Sequence, residues 1–457
     1  MITSDKTIES LLKVKYRKEG PANLMFKNDP LLKEVKKENV EGKSYNFSAI
    51  YSRGGAVSSK YLTAKKAANE NVKAAEFAVE PGELYSVCNY TNKEVAASKN
   101  NEGAYMSIAG AKFFAATEAF RKTLAATMYG RGYGEICKLN YTTAITANTE
   151  FDVVLPSSAL QVIDIGSMLV IKPSVDSATT TAHLTVTAID DSTNTVTFTS
   201  DTAVTPDATD ILAFDGCMDA SGAPLAPMGL SGWLPTVGKR TGTEWKNYIK
   251  TPFMGLDRSA APSRLAGNFV DGTGDTDKIK TLMKALKIVS RKVGDSADVR
   301  IVLNDNDYED VVNLIEKGST YFSSMDKTGK KAANVGVASD NITLAFARNW
   351  FDKLVVAPAC PAGKFYVLDM NSIQYNCYFS DKAISDGLDN DKPDPMAENA
   401  APVANYSPLI DNFISAIPSE SDAGIGTTIA LNFLGALVVT DTSNCAVGLF
   451  DGAEVIE

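Results

Sequence analysis

Histidine is almost absent from this chain of 457 residues, where His183 stands alone. Imidazole is the one side chain that titrates near neutrality unperturbed, so serine-type triads, paired-His zinc sites and His-driven acid/base chemistry lose their main residue. Cysteine is sparse too. Cys88, Cys137, Cys217, Cys360, Cys377 and Cys445 are widely spaced with no CxxC pair. That spacing signals neither a zinc ribbon nor a disulfide framework, and the six read as free thiols of a reducing cytosol. Long hydrophobic runs are also missing. The longest, IALNFLGALVV over 429–439, contains Asn432 and is about half of a membrane span. The first twenty residues, MITSDKTIESLLKVKYRKEG, break their apolar positions with lysines, so a Sec signal peptide is not expected. No stretch is biased enough for collagen, mucin or linker. What remains is a folded chain of ordinary composition, 44% hydrophobic and 22% charged, with length for about three domains.

The formal net charge of −10 hides an uneven distribution. Residues 1–66 hold fourteen Lys/Arg against seven Asp/Glu, and residues 367–457 hold two against fourteen. The plain reading is two solvated surfaces. The sharper one is a basic arm and an acidic C-terminal region that meet between copies of the chain, since opposite potentials steer association. The arm lacks the interleaved aromatics and dense Arg of a dedicated nucleic-acid binder.

Along the chain, residues 1–40 read as an arm, with a short amphipathic helix over 7–18 and prolines at 21 and 30 that break any longer one. Residues 41–98 hold two alternating segments, KSYNFSAIY and AAEFAVEPGELYSVCNYTNKEVAAS, which predict a long two-stranded hairpin. Such a hairpin is barely stable alone and must lie on something else. Within 99–140, residues 103–129 predict a long helix, roughly 40 Å, with Met106, Ala109, Phe113, Ala116, Phe120, Leu124 and Thr127 on one face and GRGYG as its stop. Over 141–216 the composition turns to Thr, Val, Ala and Asp in strand-sized runs. These predict a small all-β barrel or sandwich inserted into the host fold, with His183 inside one strand as a packed or surface imidazole. Residues 217–274 are loop-rich. From 275 the chain turns α/β: a helix over 275–293, the strand VRIVLN, the helix DYEDVVNLIEKG, the strand KLVVAPA, then two long β candidates, KFYVLDMNSIQYNCYF and TTIALNFLGALVVTDTSNCAVGLF.

Catalytic motifs fail on inspection. GWLPTVGKR at 232–240 places Arg240 where a phosphate loop needs Ser or Thr. Asp305, Asp307 and Glu309 resemble a calcium loop, but Asp310 replaces its glycine, so the run reads as an acidic helix start. Asp386, Asp389, Asp391 and Asp394 are the densest carboxylate cluster, with a solvated loop as the default reading. No catalytic, cofactor-binding or metal residue is assigned.

The order of parts resembles the major capsid protein fold of tailed bacteriophages, the Hong-Kong-97-type fold shared with encapsulin shells. MGLSGWLPTV followed by FMGLDRSAAPSRLAG is similar to the family's stretch leading out of the spine region. VVAPACPAGKFYVLDMNSIQY resembles its strand pair with a Pro-x-Gly turn, and GALVVTDTSNCAVGLF its closing strand. The resemblance covers the chain outside 141–216. It implies an α+β subunit in which 41–98 is an extended loop reaching over a neighbouring copy and 99–140 holds the spine helix of a peripheral domain. It further implies 217–274 as a peripheral segment and connection, and 275–457 as an axial domain whose long strands return to the periphery. Implied partners are further copies in hexamers and pentamers, scaffold, portal and decoration proteins, and packaged double-stranded DNA by non-specific contact, with no membrane. The implied place is the virion shell, made in a bacterial cytoplasm. Some relatives crosslink their shells through Lys and Asn; Lys60, Lys65, Lys66 and Asn69 lie in the matching loop, but such residues are common in any exposed loop. Three other readings stand beside this one: an encapsulin-type compartment, a carboxylate- or metal-dependent enzyme at Asp386–Asp394, and a tail or surface adhesin.

Overall fold

The computed structural model describes residues 30–40, 43–52, 57–67, 73–91, 108–219, 221–237, 242–293, 298–318, 344–346, 349–351, 353–377, 415–419 and 426–453. The helix expected over 7–18 and the aspartates at 386–394 lie outside them. The described chain opens with a one-turn helix, Pro30–Glu34, and strand β1, Lys36–Asn39. Pro30 starts this helix, where its missing N–H costs nothing. β2, Tyr45–Ser52, and β3, Lys73–Val79, pair antiparallel around a short helix, Tyr61–Ala67. β4, Gly82–Thr91, follows the Pro81 break, and then comes helix α1, Ile108–Thr127.

Two expectations change here. The second alternating segment is not one hairpin arm, because Pro81 and Gly82 divide it and β4 leaves β3 to pair elsewhere. The helix expected over 103–129 is described as α1 from Ile108 and stops at Thr127, two residues early, where the chain turns off at Met128–Gly130; residues 103–107 lie outside the described residues. Its buried face, Thr117, Phe120, Leu124 and Thr127, follows the expected three- and four-residue steps.

Residues 135–214 form one six-stranded antiparallel sheet: β5 Glu135–Lys138, β6 Glu150–Val154, β7 Met168–Lys172, β8 Ala182–Asp190, β9 Thr195–Ser200 and β10 Ile211–Phe214. The order β5-β10-β7-β8-β9-β6 leaves β5 and β6 unpaired with each other, so the sheet is open, neither a closed barrel nor a two-sheet sandwich. It starts six residues before 141 because the entering strand β5 pairs with the leaving strand β10. The sheet has its own core, centred on Leu169, Leu184, Val196, Phe198 and Leu212, all at most 1% exposed.

The third part begins with β11, Asn268–Asp271, and helix α2, Lys278–Ser290, which Asp277 caps by accepting from the Ile279 and Lys280 amides at 3.0 and 3.2 Å. Its stripe Leu282, Ala285, Leu286 and Val289 is fully buried. β12, Val299–Leu303, and helix α3, Asp305–Gly318, follow, with acidic residues in the first turn as expected. Next come β13 Leu344–Phe346, β14 Asn349–Phe351, β15 Lys353–Val356, β16 Lys364–Asp369, β17 Ile373–Cys377, β18 Ser415–Ser419, β19 Gly426–Val439 and β20 Ala446–Leu449.

Each long β candidate proves to be two strands in two sheets. β11-β20-β16-β12-β15 is a mixed sheet against which α2 and α3 pack. β17, β19, β18, β1 and β4 form the other sheet, in which β4 matches β19 over ten register pairs. The breaks are single turns, Met370–Ser372 and Thr442–Asn444, closed by Asp369 accepting from Asn371 N and Asp441 from Ser443 N. The same two stretches of chain therefore run through both sheets. The main core joins Leu31 and Val35 of the arm, Phe77 of the hairpin, Leu124 of α1 and Leu437 of β19, so the described end of the arm is part of the body.

Candidate assembly surfaces

Buried aromatic packing anchors the hairpin at its base and leaves its far end bare. Phe47 of β2 and Phe77 of β3 stack at 5.2 Å, and Phe77 lies 5.4 Å from Trp233, itself fully buried in the short helix Leu230–Trp233. The Trp233 indole donates to the Leu437 carbonyl at 2.8 Å and meets Phe253 edge-on at 5.1 Å. Behind Phe253 the Arg258 guanidinium sits 4.1 Å from the ring and donates to the Gly232 carbonyl at 3.0 Å. Burial pulls the Arg258 pKa down to about 10. Beyond this anchor the chain exposes Ile50, Val57, Tyr61 and Leu62, with Val57 98% accessible, beside exposed Lys60, Lys65 and Lys66. Under the hairpin, a groove of about 640 Å³ is lined by Ser48, Ile50, Arg264, Lys292 and Asp441.

The six-stranded sheet offers a second surface. Its register aligns Met168, Thr185, Thr199 and Glu150 in one cross-strand row, Ala188, Thr197 and Asp152 in the next, and Asp190, Thr195 and Val154 in a third. Directly opposed residues share a face. Met168 and Val154 are 63% and 68% exposed. Over 141–216 the chain holds ten Asp/Glu and one basic residue, Lys172, which is buried, so this part carries no surface Lys or Arg.

The junction between the parts is polar. Glu135, the first residue of β5, accepts from the Arg131 amide and, at 3.2 Å, from the Tyr133 amide, closing the GRGYG turn. Enclosure of this carboxyl raises its pKa above the usual glutamate value. Asn306 at the start of α3 donates to Ser157 Oγ at 2.9 Å, linking the mixed-sheet part to the six-stranded sheet. Asp307 accepts from Lys278 Nζ and from the Gly363 amide, both at 2.7 Å.

The sequence candidates distribute as follows. Gly232 is helical beside buried Trp233, not part of a phosphate cradle. Asp305 and Asp307 belong to α3, and Asp307 is held by Lys278, so they are not a calcium loop. Among the described residues no group of His, Cys, Asp and Glu has a metal-site arrangement. His183 is exposed, with Nδ1 3.2 Å from Asp215 Oδ2. Cys137, Cys217, Cys360, Cys377 and Cys445 are free thiols, and burial pushes Cys217 up to about 11 and Cys377 and Cys445 up to about 12. Lys60, Lys65 and Lys66 lie on or beside the hairpin helix, while Asn69 is outside the described residues. Arg258 was visible in sequence only as part of GLDRSA, and nothing local signals that its side chain is buried.

No protein-family model matches the sequence, and no curated protein matches it. Solved structures do. The capsid asymmetric unit of cyanophage A-1(L) matches over 96% of both chains, with a TM-score of 0.54 and 14% identity. This chain has the Hong-Kong-97-type capsid fold. The capsid of a native GTA particle (TM-score 0.45, 10% identity, 99% of this chain and 100% of that one) and the SrpI encapsulin of Synechococcus elongatus (TM-score 0.40, 8% identity, all of both chains) also match.

Proposed function

We propose that this chain is the major capsid protein of a tailed bacteriophage, a structural subunit without catalysis, whose copies form hexamers and pentamers in an icosahedral shell around double-stranded DNA. The likeness to the cyanophage capsid subunit over nearly the whole of both chains carries this reading. In it, 41–98 holds the extended loop, whose tip lies on a neighbouring copy. Residues 99–140 hold the spine helix of the peripheral domain, 141–216 is an inserted β-domain on the shell, and 217–274 is a peripheral segment and connection. Residues 275–457 are the axial domain with strands returning to the periphery. The physics agrees, because the hairpin is anchored only at its base, and Val57, Tyr61 and Leu62 at its far end are exposed. Partners then include scaffold, portal and decoration proteins, and DNA by non-specific contact.

Negative-stain microscopy of the purified protein tests this, with closed shells or rings of five and six expected and a stable monomer as the contrary result. Nuclease-protected DNA in particles from infected cells separates the virion from an encapsulin-type compartment.

A further inference from the structure

We propose that the tip of the hairpin, the helix Tyr61–Ala67 with its lysines and exposed apolar side chains, docks on the acidic outer face of the six-stranded sheet of a second copy. The inference rests on the shell reading and names the surface that receives the loop.

The tip needs a cover. A helix of seven residues is too short to be stable in water by itself, and a two-stranded ribbon adds little. Yet Val57, Tyr61 and Leu62 are 98%, 77% and 73% exposed, so among the described residues nothing packs on them. The tip is also cationic: over the described residues 57–67 it carries Lys60, Lys65 and Lys66 and no acidic residue.

The sheet is its complement in both charge and shape. Its exposed outer rows present Glu150, Asp152 and Asp190 between threonines, flanked by Met168 and Val154, with no surface Lys or Arg anywhere in 141–216. At about 4.8 Å between strands and 6.8 Å between rows, the three rows give a platform roughly 14 Å along the strands and 10–14 Å across them. A seven-residue helix is about 10 Å long and 10–12 Å wide, so it fits within that area. Threonines are small enough to let the helix approach, while Met168 and Val154 offer apolar contacts for Tyr61 and Leu62. Opposite charge adds steering and fixes register.

Both surfaces are exposed in one chain, so they do not meet within a copy. A contact between them joins different patches of successive copies, the head-to-tail kind that closes rings. A polyanionic sheet also repels packaged DNA, which sets this face away from the nucleic acid.

The test uses charge reversal in the full chain. Lys60→Glu/Lys65→Glu/Lys66→Glu and, separately, Glu150→Lys/Asp152→Lys are each expected to cut shell yield at least tenfold, with far-ultraviolet circular dichroism unchanged. The protein carrying both sets is expected to recover shells, because the charges match again. Carbodiimide crosslinking of wild-type shells from mixed ¹⁴N- and ¹⁵N-labelled protein should join a tip lysine to Glu150 or Asp152 between copies. Wild-type shells together with normal assembly of the loop variant, no recovery in the combined variant, or tip lysines crosslinked only elsewhere would overturn the docking and leave the shell reading intact. A wild-type protein that forms no shells overturns the shell reading and the docking with it.

Discussion

Lys278 and Asp307 meet at 2.7 Å and join the first turns of α2 and α3. The carboxylate is 4% exposed and also holds the Gly363 amide at 2.7 Å, so one residue fixes both helices and the turn before β16. Lys278 has a second partner, Asp310, at 2.6 Å, whose side chain is 57% exposed. Asp307→Ala strands a buried amide and half-buries an under-paired ammonium, at a cost of about 2–4 kcal/mol. Asp310→Ala should cost about 0–1 kcal/mol, because water replaces the exposed partner. Urea denaturation of the two variants checks the difference, and equal midpoints would contradict it.

The Gly229 position is set by contact, not by backbone torsion. A methyl group there would lie 2.2 Å from the Thr127 carbonyl oxygen and 2.5 Å from that of Met128, both main-chain atoms at the end of α1. Neither atom moves as a side chain would, so Gly229→Ala should cost about 3 kcal/mol or more. Gly216, with φ of +76° and open space around it, tests torsion alone, and Gly216→Ala should cost roughly 1–2 kcal/mol. Thermal melting of the soluble subunit ranks the two, and the reverse order would refute the steric account.

Glu135 supplies a pH dependence with a definite sign. Enclosure raises its pKa in the folded chain above the ordinary glutamate value of 4.5, while backbone donors and the Arg131 charge only partly offset that effect. Between that value and the raised one the folded state binds more protons than the unfolded one. The contribution of this group is therefore fully present below pH 4.5 and is lost as pH rises through the folded pKa. Glu135→Gln, which cannot ionise, should flatten that descent. Urea midpoints from pH 4 to pH 7 for both proteins test this, and parallel curves would remove Glu135 as the cause.

Much of the local structure was legible. The α2 stripe needed only a period near 3.6 and an Asp cap, and the alternation of β8 and β9 only a period of two. The charge of the six-stranded sheet was countable in the same way. The surfaces were less legible: Val57, Tyr61 and Leu62 look like ordinary loop residues until the structure shows how exposed they are.

A period of two specifies which face of a strand is buried but not which strand lies beside it, and this divides the two kinds of knowledge. The sequence alone determined the types of most elements, their order, the abrupt shift to Thr-rich strands, and that His183 is the single histidine. Tertiary structure decided that β4 joins β19 and not β3, that β5 forms an edge of the six-stranded sheet beside β10, and that 364–377 and 426–449 each serve two sheets. It also placed Arg258 over Phe253 and Trp233 under the hairpin. Those partners are far apart along the chain, and the energies that select them arise only when distant residues exclude water together.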